Sequence, residues 1–301
     1  MRRVSLIAVA GCVAAGLTLT ACGSSSLTST PAGSAPAPGS SATGGGADPA
    51  LVAKLPAKIK AAGKIIVGID PTYAPNEMLA GDGKTVEGFD VDIFNAVAAK
   101  FGVTADYRPA GFDSIILGVT GGKYDIGVSS FTINEDRKKQ VNMVSYYKAG
   151  TQWVVPKGNP KGVTIEGACG KNIGVQKGTV QLDDLTARSK KCTDAGKPAI
   201  TMIVQEGQDQ VTADVASGKS DAMLADSPVG LYAIKKTGRL EALGDIYDSA
   251  PYGYVLPKDQ TEFANAIVEA LKAAQKDGSY EAALKKYAVE AGAITDFAVN
   301  P

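Results

Sequence analysis

The chemistry open to this chain is limited first by a residue type that it lacks. The 301 residues include no histidine, which removes His-activated nucleophiles, His-ligated zinc or haem and the commonest general base. Two enzyme-like patterns remain, and both fail in detail. Gly83-Lys84-Thr85 has the tail of a phosphate-binding loop, but the earlier glycine that such a loop requires is Met78. Ser145-Tyr146-Tyr147-Lys148, Ser220-Asp221-Ala222 and Lys236-Thr237-Gly238 follow the motif order of penicillin-binding enzymes. Ser145 nevertheless falls in an extended run, Ala222 replaces the required Asn, and the Lys-Thr-Gly closes a helix. Asp90 and Asp92 could suggest a metal, yet two acids in a first helical turn are accounted for by the macrodipole and a buried face. No metal, cofactor or catalytic residue is therefore expected. Lys+Arg and Asp+Glu number 31 each, so no basic excess exists to hold a nucleic acid.

Any binding residues must be positioned by the elements around them. Short apolar runs alternate with amphipathic stretches, predicting strands at 64–69, 103–107, 125–130, 172–176, 200–204 and 222–225. Helices are predicted at 91–101, 112–120, 182–190 and 211–217. Strands separated by single helices imply an α/β fold with a mainly parallel sheet, whose ligands bind at the carboxyl ends of the strands. The alternation breaks at 141–147 and 152–155, two extended runs parted by Lys148-Ala149-Gly150-Thr151. It breaks again at 252–256, before a closing helix at 262–276. These breaks read as two chain crossings between two lobes. The first lobe is discontinuous (51–149 and 254–301), the second is continuous (150–253), and the ligand cleft lies between them.

The N-terminal residues read as processing and tethering segments. Arg2 and Arg3 precede an uncharged stretch, 4–19, too short to span a bilayer. Leu19-Thr20-Ala21-Cys22 resembles the lipobox of bacterial lipoproteins, which implies cleavage after residue 21 and a lipid on Cys22. Of the 28 residues from 23 to 50, all but Leu27 and Asp48 are Gly, Ser, Ala, Pro or Thr, the composition of a flexible linker. Cys12 leaves with the signal. Cys169 and Cys192 then remain in an oxidising setting and are expected to form a disulfide on the surface.

The run Gly88-Phe89-Asp90-Val91-Asp92-Ile93-Phe94-Asn95-Ala96-Val97 resembles the signature of family 3 solute-binding proteins, which serve polar-amino-acid ABC importers. Four further motifs keep the family's order. They are Asp70-Pro71-Thr72-Tyr73-Ala74-Pro75, the stretch from Asp125 to Thr132 followed by Asn134-Glu135-Asp136-Arg137, Gly178-Thr179-Val180-Gln181, and Asp221-Ala222-Met223-Leu224-Ala225-Asp226. The resemblance spans residues 56–290 and implies a two-lobe fold of the type II periplasmic-binding-protein kind. It also implies an extracytoplasmic, lipid-anchored monomer that binds a free amino acid without chemistry and delivers it to a permease and its ATPase.

Carried onto these positions, Arg137 takes the ligand carboxylate through a bidentate guanidinium. Ser129, Ser130 and Thr132 offer hydroxyls, Thr179 and Val180 offer helix-start N–H groups, and Asp226 takes the ammonium. Val180 departs from the hydroxyl residue often found there, which leaves only its N–H contact. Asp70, Tyr73, Phe112 and Gln181 surround the side-chain pocket, where Tyr73 and Phe112 suit a cation. Asn76 and Glu77 reach toward the same region without a readable orientation. Two other classes stay open: an exported cyclohexadienyl-dehydratase-like enzyme on the same fold, and a ligand-sensing lobe.

Overall fold

The computed structural model describes residues 46–301. The export signal, Cys12, Cys22 and the linker up to residue 45 lie outside the described residues. Asp48 caps α1 (Pro49–Ala53) by accepting from the Ala50 N–H at 2.8 Å, so the last residues of the linker-like stretch carry helix. α2 (Ala57–Ala62) leads into β1 (Lys64–Ile69). β2 (Thr72–Tyr73), β3 (Glu77–Leu79) and β4 (Val86–Glu87) then form a small antiparallel sheet. α3 (Phe89–Lys100), β5 (Thr104–Pro109), α4 (Phe112–Thr120), β6 (Ile126–Thr132) and α5 (Glu135–Gln140) follow, then the long β7 (Asn142–Pro156). The next elements are β8 (Asn172–Gln176), α6 (Val180–Asp194), β9 (Thr201–Gln205), α7 (Gln208–Ala216), β10 (Ala222–Asp226) and α8 (Ser227–Thr237). β11 (Leu240–Leu256), α9 (Thr261–Lys276) and α10 (Ser279–Tyr287) close the chain.

The eight-stranded sheet runs β5-β1-β6-β11-β7-β10-β8-β9. Its outer thirds are parallel (β1 with β5 and β6, β8 with β9 and β10), as single-helix crossovers require. β11 and β7 are antiparallel to each other and to their outer neighbours. The sheet is therefore mixed, with an antiparallel centre in a parallel frame. The expected break at Lys148-Ala149-Gly150-Thr151 is absent, because β7 runs unbroken from Asn142 to Pro156. Lys148 is the one exposed residue in that strand, and the stretch around it pairs with β11. β11 is likewise far longer than the 252–256 run that predicted it.

Separate cores lie on the two sides. Phe89, Phe94, Phe101, Tyr146, Tyr254 and Phe263 anchor one on α3 and α9. Trp153, Val175, Leu185, Cys192 and Leu224 anchor the other. Trp153, placed at a crossing by the sequence, is fully buried in that second core, where its Nε1–H donates to Tyr247 Oη at 3.0 Å. Cys169 and Cys192 are joined, with Cα atoms 5.6 Å apart. Cys192 sits in the core rather than on the surface, since α6 packs its apolar stripe inward.

Candidate functional site

Arg137 and Asp226 define the site. Asn134 caps α5 by accepting from the Arg137 N–H at 2.9 Å, which fixes where the side chain leaves the helix. The guanidinium is buried; it donates to the Thr132 carbonyl at 2.8 Å and across to the Gly178 carbonyl at 3.0 Å. The Phe112 and Phe131 rings, stacked at 4.6 Å, lie 5.4 and 5.5 Å from its carbon. Burial pulls Arg137 down to about 10, opposed by the charge of Asp226. It forms no salt bridge among the described residues.

Asp226 ends β10 and caps α8 in sequence, but its carboxylate turns to the other half of the molecule. Oδ2 accepts from Tyr73 Oη at 2.9 Å, and Oδ1 accepts from Gln181 Nε2 at 2.7 Å. Gln181 is held in turn by Thr151 Oγ1 at 3.1 Å. Burial raises Asp226 above the usual carboxylate range, while hydrogen bonds and Arg137 pull against that rise. Thr179 caps α6: its hydroxyl accepts from the Leu182 N–H at 3.3 Å and donates to the Gln176 carbonyl at 2.7 Å. That helix start presents the backbone of Val180 and Gln181, whose N–H groups precede the first intrahelical bonds.

Asp70, after β1, is buried and pushed up to about 6, mainly by desolvation. Its Oδ2 accepts from Gln176 Nε2 at 2.7 Å. Gln176 fell in the predicted strand 172–176 without being a candidate contact. Its position at the carboxyl end of β8, facing Asp70 at the end of β1, was the available signal. The serines behave differently from expectation. The Ser129 hydroxyl donates to Glu77 Oε1 at 2.7 Å, and Ser130 donates through both N–H and hydroxyl to Asp90 Oδ2 at 3.0 and 2.9 Å. Ser130 adopts a positive φ of 49°, which directs both groups inward, away from a ligand. Asn76 is fully buried and donates to Ser130 Oγ at 2.7 Å.

Asp70, Tyr73, Phe112, Ser129, Ser130, Thr132, Arg137, Thr179, Val180, Gln181 and Asp226 thus converge where β1, β6, β8 and β10 end. The enzyme-like motifs do not. Ser145 Oγ accepts from the Ala298 N–H, Asp221 accepts from the Asn172 N–H, and Lys236 lies near the end of α8. An open groove of about 840 Å³ beside β7 and α8 is lined by Lys148, Lys235, Lys236 and Lys286, and by none of the converging residues.

Buried opposite charges, Arg137 on α5 and Asp226 at the end of β10, are the arrangement of a solute-binding site, and the sequence comparisons agree. Residues 65–290 match the bacterial extracellular solute-binding proteins, family 3. The chain belongs to this family of extracellular solute-binding proteins, and the curated relatives that it matches are amino-acid-binding proteins rather than enzymes. It is 30% identical over 254 residues to the arginine-binding protein ArgT of Corynebacterium glutamicum, covering 84% of this chain and 83% of ArgT. An ancestral arginine-binding protein bound to arginine superposes with a TM-score of 0.69 at 32% identity, covering 75% of this chain and 98% of that one. An ancestral amino acid-binding protein, a precursor of cyclohexadienyl dehydratase, gives 0.69 at 29% identity, covering 76% and 97%.

Proposed function

We propose that this protein is a lipid-anchored receptor that binds an amino acid with a basic side chain, arginine foremost. It would hold the ligand between lobes 51–149 with 254–301 and 150–253, and deliver it to an ABC importer permease and its ATPase. The carrying observation is the buried pair of opposite charges: Arg137 from one half, without a protein carboxylate, and Asp226 from the other. A zwitterionic backbone carries the two charges that complement this pair. The carboxylate meets the guanidinium and the α6 N–H groups, and the ammonium meets Asp226. Asp70, with Tyr73 and Phe112 nearby, supplies charge and aromatic faces for a cationic side chain. The arginine named for two of the compared proteins supports the same choice. Ligand contacts to both halves favour the closed arrangement by their differential affinity, and the closed form is the one presented to the permease. Anchoring rests on the lipobox-like Leu19-Thr20-Ala21-Cys22.

Thermal unfolding with each of the twenty amino acids and ornithine at about 1 mM tests this reading. A micromolar ligand stabilises by about 4 kcal/mol through mass action. A shift confined to arginine, lysine, ornithine or histidine is expected. A shift with glutamine instead would keep the receptor and exclude the cation pocket, and no shift at all would overturn the receptor.

A further inference from the structure

Glu77 and Asp90 are a pair of acids outside the candidate site residues that hydrogen-bond to two of them, Ser129 and Ser130. Glu77 and Asp90 are both 0% exposed. Glu77 reaches this position because the β3–β4 hairpin folds back on the start of α3. There the N–H groups of Phe89 and Asp90 donate to the carbonyls of Pro75 and Asn76 at 3.2 and 3.1 Å. Gly88, at φ 143°, makes the approach possible: a Cβ there would lie 2.0 Å from the Asn76 carbonyl oxygen and 2.8 Å from Glu77 Cα.

Each carboxyl has one oxygen committed outward. Glu77 Oε1 accepts from Ser129 Oγ, which itself accepts the Asp70 N–H at 3.1 Å. Asp90 Oδ2 accepts from both Ser130 groups and from Tyr146 Oη at 2.6 Å. The two other oxygens, Glu77 Oε2 and Asp90 Oδ1, are buried without a hydrogen-bond partner. Glu77 follows Asn76, whose carbonyl receives the Asp90 N–H, so the two carboxyls are neighbours, and buried neighbouring carboxyls with no cation between them relieve their repulsion by retaining a proton.

We propose that Glu77 and Asp90 hold one proton between them and act as a single positioning unit for two site segments, 70–73 and 129–132 at the end of β6; its role in binding rests on the amino-acid-receptor reading. The proton resides on Glu77. Asp90 has three donors and the start of α3 to favour its charge, whereas Glu77 has one donor. Burial and the neighbouring Asp90 charge hold Glu77 well above the usual carboxylate range. The titratable groups facing the pair are Asp70, Tyr73, Tyr107, Tyr146, Tyr147 and Tyr254. No lysine or arginine bridges either acid among the described residues, and Asp92 on the same helix takes Lys286. The unit fixes the Asp70 backbone through Ser129 and the inward turn of Ser130 through Asp90. It also joins both to the β7 crossing strand through Tyr146, which stacks on Tyr254 of β11 at 4.1 Å.

Melting curves of the ligand-free protein from pH 5 to 9 test the proton. The folded form holds a proton that the unfolded chain has released, so stability falls as pH rises. The wild type is therefore expected to lose Tm relative to Glu77→Gln, which keeps a neutral donor, and the gap should widen with pH. Parallel curves, or a Glu77→Gln variant less stable throughout, would overturn the shared proton. Calorimetry with L-arginine tests the positioning. Glu77→Ala is expected to bind about tenfold more weakly than Glu77→Gln, the cost of losing the hydrogen bond to Ser129. The ratio of wild-type to Glu77→Gln affinity should also fall toward pH 9. Equal affinities for the two variants would overturn the positioning role. If Glu77→Ala does not fold, Ser129→Ala cuts the same link and should show the same loss. Failure of the wild type to bind any amino acid would overturn the receptor reading and the positioning role together, while the melting curves would still decide the proton.

Discussion

At the residue scale, the site is a contest between burial and charge. Asp70, Asp226 and Arg137 are all taken out of water, and each is pushed toward its neutral form by desolvation. A ligand carrying the opposite charge reverses that pressure, so binding and protonation are linked. With Asp70 at about 6, arginine affinity is expected to weaken as pH falls from 7 to 5, because protons compete with the ligand's cation. Asp70→Asn should flatten this profile in a calorimetric pH series. In the ligand-free protein the sign inverts: between the ordinary carboxylate value and about 6 the folded form holds the extra proton, so stability declines with rising pH. Asp226→Asn preserves an acceptor for Tyr73 or Gln181 but removes the charge. It should weaken arginine binding by about a hundredfold, roughly 3 kcal/mol, with a far smaller change in Tm. Equal affinity in the two proteins would remove Asp226 as the ammonium partner.

Much of this was legible from sequence because a charged residue at a strand end has few structural uses. Asp226, at the end of β10, stood out for that reason, whereas Arg137, within the charged run of α5, was assigned through the family resemblance. The inner network did not stand out. Asp90 in the first turn of a helix is fully accounted for by the macrodipole, and its partner Glu77 comes from a hairpin whose return depends on Gly88. The hydroxyls of Ser129 and Ser130 were assigned outward, because sequence gives a side chain's type and approximate place but not its φ.

At the element scale, the loop between β8 and α6 is a point of close backbone approach between the halves. Gly178, at φ 76°, lies so close to α4 that a Cβ would meet Asp113 Cβ at 2.9 Å. Its carbonyl receives Arg137, and the adjacent Lys177 bridges Asp113 at 2.9 Å. Gly178→Ala therefore strains the backbone and wedges the contact together. An affinity loss of roughly tenfold or more for arginine is expected, from about 1–3 kcal/mol of strain. Small-angle scattering should show a larger radius of gyration in the presence of ligand than for wild type. An unaltered Kd would mean that the halves need not approach this closely to bind.

Elements with one clear period were readable, and the full extent of the two crossing runs was not. The strand at 64–69 and the helix at 112–120 were placed at their observed limits, because apolar spacing and flanking glycines agreed. Lys148-Ala149-Gly150-Thr151 has the composition of a turn, yet pairing with β11 carries it through as strand. That pairing is a tertiary fact, invisible to local pattern.

At the scale of the whole molecule, the two cores are stabilised differently. The second contains the Cys169–Cys192 bridge, which ties the segment before β8 to the end of α6 across 23 residues. A loop of that length is worth about 3 kcal/mol on the chain-entropy account. A Cys169→Ala, Cys192→Ala double variant is expected to melt roughly 6–12 °C lower in calorimetry, with Cys192 burial adding to the loss. A shift under a degree would show that the second core holds without its crosslink.

The position of β11 has a consequence for how the molecule is made. It lies between β6 and β7 in the sheet although it is the last strand in the chain, and Val299 bridges back to Val144. The second core draws mainly on the contiguous segment from β8 to β10 with Trp153 and Val155 of β7, all made before β11. The first core, with α9 and α10 as part of its wall, cannot be completed until synthesis has nearly ended. A half completed so late delays the assembly of Arg137 against Asp226 until almost the whole chain is present, so truncation before α9 should cost the first core and the binding site together.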